Sequence, residues 1–151
     1  MDKAQYNDHI KKGVNRLAYR NLLVEATLNR PAYILLLLAF IKDKDSEEAN
    51  HAARLLELTV KKQAPVILDY LDPFTEILPL VHQDASVRAC AKIIEICCFK
   101  YYAKKDETFL KALRQEHLER FVEVSFDWMI ADKAIAIQAH SMYSLFFRRL
   151  F

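Results

Sequence analysis

Glycine is nearly absent. Of 151 residues only Gly13 is one, where ordinary usage of about 7% would supply roughly eleven. Glycine provides the positive-φ positions of tight hairpins and the close backbone approach of phosphate-cradling loops. The chain therefore holds neither a Walker loop nor a dinucleotide fingerprint, and it is a poor candidate for a many-stranded β fold. Prolines number four and cysteines three. Cys90, Cys97 and Cys98 form no CxxC pair, and the adjacency of the last two suits neither zinc nor a redox dithiol. They read as buried apolar thiols in a reducing compartment. A long hydrophobic run is missing too: the longest, Ala32 to Ile41, has ten residues, about half of what a bilayer crossing needs. The first residues, Met1 to Ile10, are mostly polar and carry no signal-peptide pattern, so the expectation is a soluble cytoplasmic protein without membrane contact.

Excess charge of one sign is also lacking. Lys and Arg total 22 against 20 acids, and residues 1–75 and 76–151 each carry eleven cations and ten acids. With no basic tail or acidic block, the overall charge calls for neither nucleic acid nor an anionic membrane. His9, His51, His82, His117 and His140 form no HxxxH or HxxE pair, so neither a metal nor a cofactor is expected. His82, two residues before Asp84, suits a local turn hydrogen bond.

What is present is helix. Apolar residues make up 53% of a length suited to one domain with a sizeable core. Residues 14–28 place Val14, Leu17, Ala18, Leu22 and Val24 around basic positions as a surface helix does, with Gly13 capping a short helix before it. Asn29-Arg30-Pro31 stops that helix and opens the next, Ala32 to Lys42, which is apolar on every side and needs cover all round. A charged loop leads to a helix over about 49–62, and Pro65 opens a further turn. Asp72-Pro73 restarts the chain for Phe74 to His82, and Asp84-Ala85-Ser86 turns into a long helix from Val87 to about Lys104. Asp106 caps a short piece near 107–114, and helices over 116–130 and 135–150 complete the set.

The chain also repeats. Ala53-Arg54-Leu55-Leu56-Glu57-Leu58 returns 38 residues later as Ala91-Lys92-Ile93-Ile94-Glu95-Ile96, identical or conservatively replaced at every position. A weaker echo follows after 48 more, Ala139-His140-Ser141-Met142-Tyr143-Ser144, the extra ten matching an insertion at 105–114. Each copy follows an apolar helix and an acid-bearing turn: Asp43/Asp45, Asp84, Asp132. A helical hairpin cannot bury its own apolar face, so such units stack into a solenoid. The small Ala of each copy allows close helix approach, and the turn aspartate favours the next helix's N-terminus.

Leu71-Asp72-Pro73 through Val81, followed by Asp84-Ala85-Ser86-Val87-Arg88-Ala89-Cys90-Ala91, resembles the HEAT repeat. That repeat has a proline-bearing first helix, a turn aspartate, a Val-Arg pair and an Ala three residues on. The first copy has Ala49-Asn50 in place of Val-Arg, and the third has Ile135-Ala136. The resemblance implies an all-α, HEAT-like right-handed superhelix of about three hairpins, at 31–62, 65–104 and 115–150, after one or two N-terminal helices, in a single domain over 1–151. Phe74-Thr75-Glu76 with Val81-His82-Gln83-Asp84, and Phe126-Asp127-Trp128-Met129-Ile130 with Asp132-Lys133, look like a group of short bacterial HEAT-like proteins often labelled adenylosuccinate lyase. True lyases of that name are similar to fumarase-type enzymes, about three times longer, with a Ser-Ser mobile loop supplying the base. Here Ser46, Ser86, Ser125, Ser141 and Ser144 are never adjacent. The expectation is therefore a non-enzymatic protein-binding or scaffold module, with no catalytic residues assigned.

Candidate binding residues follow from the repeat register. Arg54, Lys92 and His140 are equivalent, and Glu57, Glu95 and Tyr143 lie three further on, sharing a helix face. With Arg88 they form a polar stripe able to grip an acidic or helical segment of a partner, or a solvated surface of weak ion pairs. Lys62, Lys100 and Arg148 also recur in register near helix ends, where cations satisfy terminal carbonyls. Trp128 beside Asp127 invites comparison with HEAT-like DNA glycosylases, but these need a strongly basic surface for the phosphate backbone. Within Lys100-Tyr101-Tyr102-Ala103-Lys104-Lys105 the tyrosines are expected to cover core while the lysines face water. Finally, Phe146, Phe147, Leu150 and Phe151 form an aromatic end that suits self-association, or a chain that continues.

Overall fold

The computed structural model describes residues 1–13, 17–43, 46–131 and 134–150, without the side chains of Leu17 and Ala18. Val14, Asp45, Asp132, Lys133 and Phe151 thus lie outside the described residues. Within them the chain is all-α and has no strand. The helices are α1 (Lys3–Lys12), α2 (Leu17–Asn29), α3 (Tyr33–Lys42), α4 (Glu47–Lys62), α5 (Leu71–Ile77), α6 (Asp84–Cys98), α7 (Glu107–Ala112), α8 (Gln115–Ile130) and α9 (Ile135–Leu150). Tight 3-10 segments, Ala64–Tyr70 and Leu78–Leu80, flank α5, and a wide π-type turn, Phe99–Ala103, follows α6.

Local chemistry accounts for several helix ends. Asp2 accepts the Gln5 N–H at 2.8 Å while Gln5 Oε1 accepts the Asp2 N–H at 3.0 Å, a reciprocal cap on α1. Gly13 closes that helix at φ +97°, donating its N–H toward the His9 and Ile10 carbonyls. Ser46 caps α4 by accepting the Ala49 N–H at 3.1 Å, and Asp106 caps α7 by accepting the Thr108 N–H at 2.9 Å. Two starts come earlier than the sequence suggests. The helix expected from Phe74 begins at Leu71, with Asp72 and Pro73 inside its first turn, where a missing N–H costs nothing. The long helix expected from Val87 begins at Asp84, whose carboxylate favours the helix N-terminus. It also stops at Cys98, because the Lys104 N–H reaches back to Phe99 at 3.0 Å and Lys105 takes φ +51°.

Long-range packing arranges the helices in two rows. α4 packs on α6 and α6 on α9; α3 packs on α5 and α5 on α8; α3 lies on α4 and α8 on α9. α1 and α2 both lean on α4. Ala53 and Ala91, equivalent in the repeat, are buried to within 1% exposure, so small side chains sit at close helix contacts. Leu55, Leu56, Ile93 and Ile94 are wholly buried beside them. Each such side chain contributes about 1.5–3 kcal/mol on leaving water. Phe74 and Phe121, both buried, meet edge to face at 6.3 Å and tie α5 to α8. Tyr6 anchors α1: its hydroxyl donates to Thr27 Oγ1 at 2.6 Å, because Thr27 spends its own proton on the Leu23 carbonyl. Its ring stacks on Tyr33 at 4.5 Å.

α3 departs from the expected all-round cover. Tyr33, Ile34, Leu37, Leu38 and Ile41 are buried, whereas Leu35 remains 49% exposed and Ala39 is exposed. α4, α5 and the 3-10 segment Ala64–Tyr70 pack on α3 and leave Leu35 and Ala39 in water. Among the described residues no single helix is long and apolar enough to cross a membrane. All three cysteines are free and buried, as their setting in a helix pattern suggested.

Candidate binding face on α4, α6 and α9

On α4, residues 54, 57 and 61 follow i, i+3, i+7 spacing, and on α6 residues 88, 92 and 95 follow i, i+4, i+7, so each set shares one helix face. The stripe read from the repeat comes together there. Arg54 Nη1 donates to Glu57 Oε1 at 2.9 Å, and Lys61 Nζ meets Glu57 Oε2 at 2.9 Å. Lys92 Nζ lies 3.5 Å from Glu95, and His140 Nδ1 on α9 bonds the other Glu95 oxygen, linking α6 to α9. Glu57 is 5% exposed. So deep a carboxylate needs both cations, since an unpaired buried charge costs several kcal/mol. Tyr143 stays 49% exposed, its ring lying over Phe147 at 6.4 Å.

Two hollows open on this face. One, of about 850 Å³, lies toward the C-terminal ends of α4 and α6. Ile96, Phe99, Pro65 and Phe147 give it an apolar lining; Lys61, Lys62, Lys92 and Lys100 line it with charge, against the single acid Glu95. Lys62 additionally pairs with Glu25. The second, about 360 Å³, lies toward the N-terminal ends and is lined by Arg20, Arg54 and Arg88 with His51, Asn50 and Glu57. The two share no lining residue.

Arg20 and Lys61 were not apparent from the repeat register, whereas Lys62 and Lys100 stood in it near helix ends. A signal existed: Arg20, Arg54 and Arg88 fall at intervals of 34 residues. The repeat has a different period, 38 residues, so its register holds Arg54 but not Arg20.

The remaining sequence candidates fall elsewhere. Phe146 and Leu150 are 52% and 58% exposed on α9, whereas Phe147 turns inward to meet Phe99 at 5.4 Å. Phe151, the fourth residue of that proposed self-association end, lies outside the described residues. Trp128 is 6% exposed, part of the core, while Asp127 is exposed. Tyr101 and Tyr102 are half-buried against the core, with Lys104 and Lys105 exposed. Lys104 Nζ sits 5.5 Å above the Phe99 ring.

A His–Asp pair on the opposite row was missed, because its partners lie 45 residues apart. The Arg114 backbone N–H donates to His117 Nδ1 at 3.0 Å, which places the ring proton on Nε2, donated to Asp72 at 2.6 Å. Arg114 adds a second bond to the same oxygen at 2.7 Å. Together the two hold the Asp72 carboxyl below the usual carboxylate range. Both imidazole nitrogens are spent on these bonds, so the pair ties α5 to α8 and offers no lone pair for proton abstraction. Among the described residues no group of three potential metal ligands gathers. A comparison of the chain with protein-family models, curated proteins and solved structures returns no match.

Proposed function

We propose that this chain is a HEAT-like protein-binding module, without chemistry of its own, whose α4–α6–α9 face holds an acidic amphipathic helix of a partner. The observation that carries this reading is the larger hollow, where apolar Phe99, Phe147 and Ile96 lie among four lysines. A partner helix would lay its apolar side on the aromatic floor and its acids against the lysines. The two-row packing and the Ala-centred repeat support a HEAT-like stack, in which repeating second helices present a continuous surface. Lyase-type chemistry has little to draw on. Ser86, Ser125, Ser141 and Ser144 are each at most 3% exposed inside helices, and Ser46 is committed to capping α4.

The test is fluorescence anisotropy with a labelled helical peptide bearing Leu on one side and Glu on the other, beside its Lys-for-Glu counterpart. Saturable binding of the acidic peptide alone is expected, lost in the Lys62→Glu/Lys100→Glu variant, whose lysines line the hollow without pairing a buried carboxylate. Equal binding of both peptides, or indifference to the double substitution, refutes the reading. Nucleic-acid binding is the second reading, favoured by the gathering of Arg20, Arg54, Arg88 and the four lysines on one face. Against it, Trp128 is held in the core and cannot stack on a base. Retention of duplex DNA with a steep salt dependence would favour that reading.

A further inference from the structure

We propose that the outer face of the α8–α9 hairpin binds a second copy of this chain about a two-fold axis, with α8 of each copy lying on α9 of the other. The hairpin packs on α5 and α6 with its inner face. Its outer face is apolar: Phe126 and Ile130 on α8, and Ile135, Met142, Phe146 and Leu150 on α9, are half-exposed or more. With Tyr143, these two helices hold more than half of the large apolar side chains exposed among the described residues, a concentration that marks an interface. Val122 and Leu145 line one crevice between the two helices. Phe126 lies one turn after Val122 and Met142 one turn before Leu145, so both stand over that crevice; Ile130 and Phe146 follow a further turn along. At the other end of the row α1 and α2 already cover α4.

Charge complementarity selects the occupant. α8 exposes Glu116, Glu119, Glu123 and Asp127, whereas α9 exposes Arg148 and Arg149 and contains no acid. Among the described residues neither arginine has an ion-pair partner. Glu119 bonds Gln115 and Glu123 pairs with Arg120, exposed contacts on α8 itself that a partner's arginine replaces at little cost. The two helices run antiparallel: Leu118, near the start of α8, shares the crevice with Arg148, near the end of α9. At the far end Gln138 Nε2 donates to the Ala131 carbonyl at 3.4 Å. Glu119, Glu123 and the arginines therefore stand at the same end of the hairpin. A two-fold axis along the hairpin lays the first half of α8 over the last turn of its partner's α9, acids against arginines, and does so twice. The same rotation brings Phe126 and Ile130 over Met142 and Ile135. A second copy supplies both halves of this pattern by symmetry. Helices of 16 residues are about 24 Å long and side by side about 20 Å wide, a footprint of roughly 500 Å² per copy. About 1,000 Å² in total is the lower limit of a specific interface, so the dimer is weak and depends on concentration.

The experiment is analytical ultracentrifugation of the whole chain from about 1 μM to about 1 mM, the range of weak interfaces. The mass should rise from 17.7 kDa to twice that value and stop there, because a two-fold contact closes on itself. Phe146→Asp should weaken the dimer about a hundredfold, a tenfold loss entered twice, whereas Leu35→Asp, at a similarly exposed position on α3, should not. Two charge reversals test the arrangement. Glu119→Arg/Glu123→Arg and Arg148→Glu/Arg149→Glu should each be monomeric where the parent is dimeric, and mixing the two should restore a dimer. Far-UV circular dichroism and Tm of each variant separate lost association from lost folding. A monomer throughout the range, growth past the dimer, a dimer indifferent to Phe146→Asp, or reversals that mixing does not restore would overturn the proposal. None of the substituted residues lines the groove, so binding of the acidic helix there can hold or fail independently.

Discussion

Replacing the lone glycine should destabilise the fold measurably, and its neighbour should set how much. Gly13 sits at φ +97° and ψ 164°, a region that side-chain-bearing residues avoid. Holding alanine there costs about 1–3 kcal/mol. A Cβ would also stand 3.1 Å from His51 Cε1 and 3.3 Å from Nε2, so the ring must retreat. Retreat strains the bond from His51 Nδ1 to the Ile10 carbonyl, worth about 1 kcal/mol. Alanine returns about 0.4–1 kcal/mol by restricting the unfolded chain. The net prediction for Gly13→Ala is a loss of about 1–3 kcal/mol, or about 2–4 °C in Tm for each kcal/mol. Urea denaturation with an unchanged m-value is the assay. In a His51→Ala background the steric part disappears, so the same substitution should cost about 1 kcal/mol less. A Gly13→Ala protein as stable as the parent would refute the backbone argument. Equal costs in both backgrounds would refute the contact with His51.

Two further predictions concern titrating groups. Burial pushes the Cys90 and Cys98 thiols up to about 12, and Cys97 higher still. Iodoacetamide at pH 8 should therefore leave all three unlabelled in the folded protein and modify all three in urea, read by intact mass; rapid labelling of the native chain would contradict their burial. Asp72 is held below its ordinary value by His117 and Arg114, so its bond contributes stability above the unfolded carboxylate range and loses it as pH falls through the lowered value. The stability difference between wild type and Asp72→Asn should be constant near neutrality and close below about pH 4. A difference that persists at pH 2 would show that the carboxylate charge is not what ties α5 to α8.

Much of the helix inventory was legible because it depends on near neighbours. Asp106, Gly13 and Pro31 act through bonds or dihedral limits within four residues, so their effects on helix ends survive any tertiary arrangement. Boundaries slipped where a residue suits both a turn and a first helical turn, as Asp84 and Asp72-Pro73 do. The repeat register placed Arg54, Glu57, Lys92, Glu95, His140 and Tyr143 on corresponding faces, since spacing along a helix is a local quantity. It could not show that His140 reaches Glu95 on the next helix.

By itself, then, the sequence determined an all-helical chain, its buried thiols and its lack of glycine-built turns, since composition and period act without reference to distant residues. Tertiary structure alone decided which surfaces exist. An even charge count of eleven cations and ten acids in each half holds no spatial information. Packing α2 and α6 against α4 converts that balance into an arginine-lined hollow beside a lysine-rimmed groove. Packing also left Leu35 in water, put Trp128 in the core and joined His117 to Asp72. Each of these turns on which helix lies against which, and Gly13 depends on both levels: its backbone closes α1 locally, and the ring of His51, brought by α4, leaves no room for a side chain.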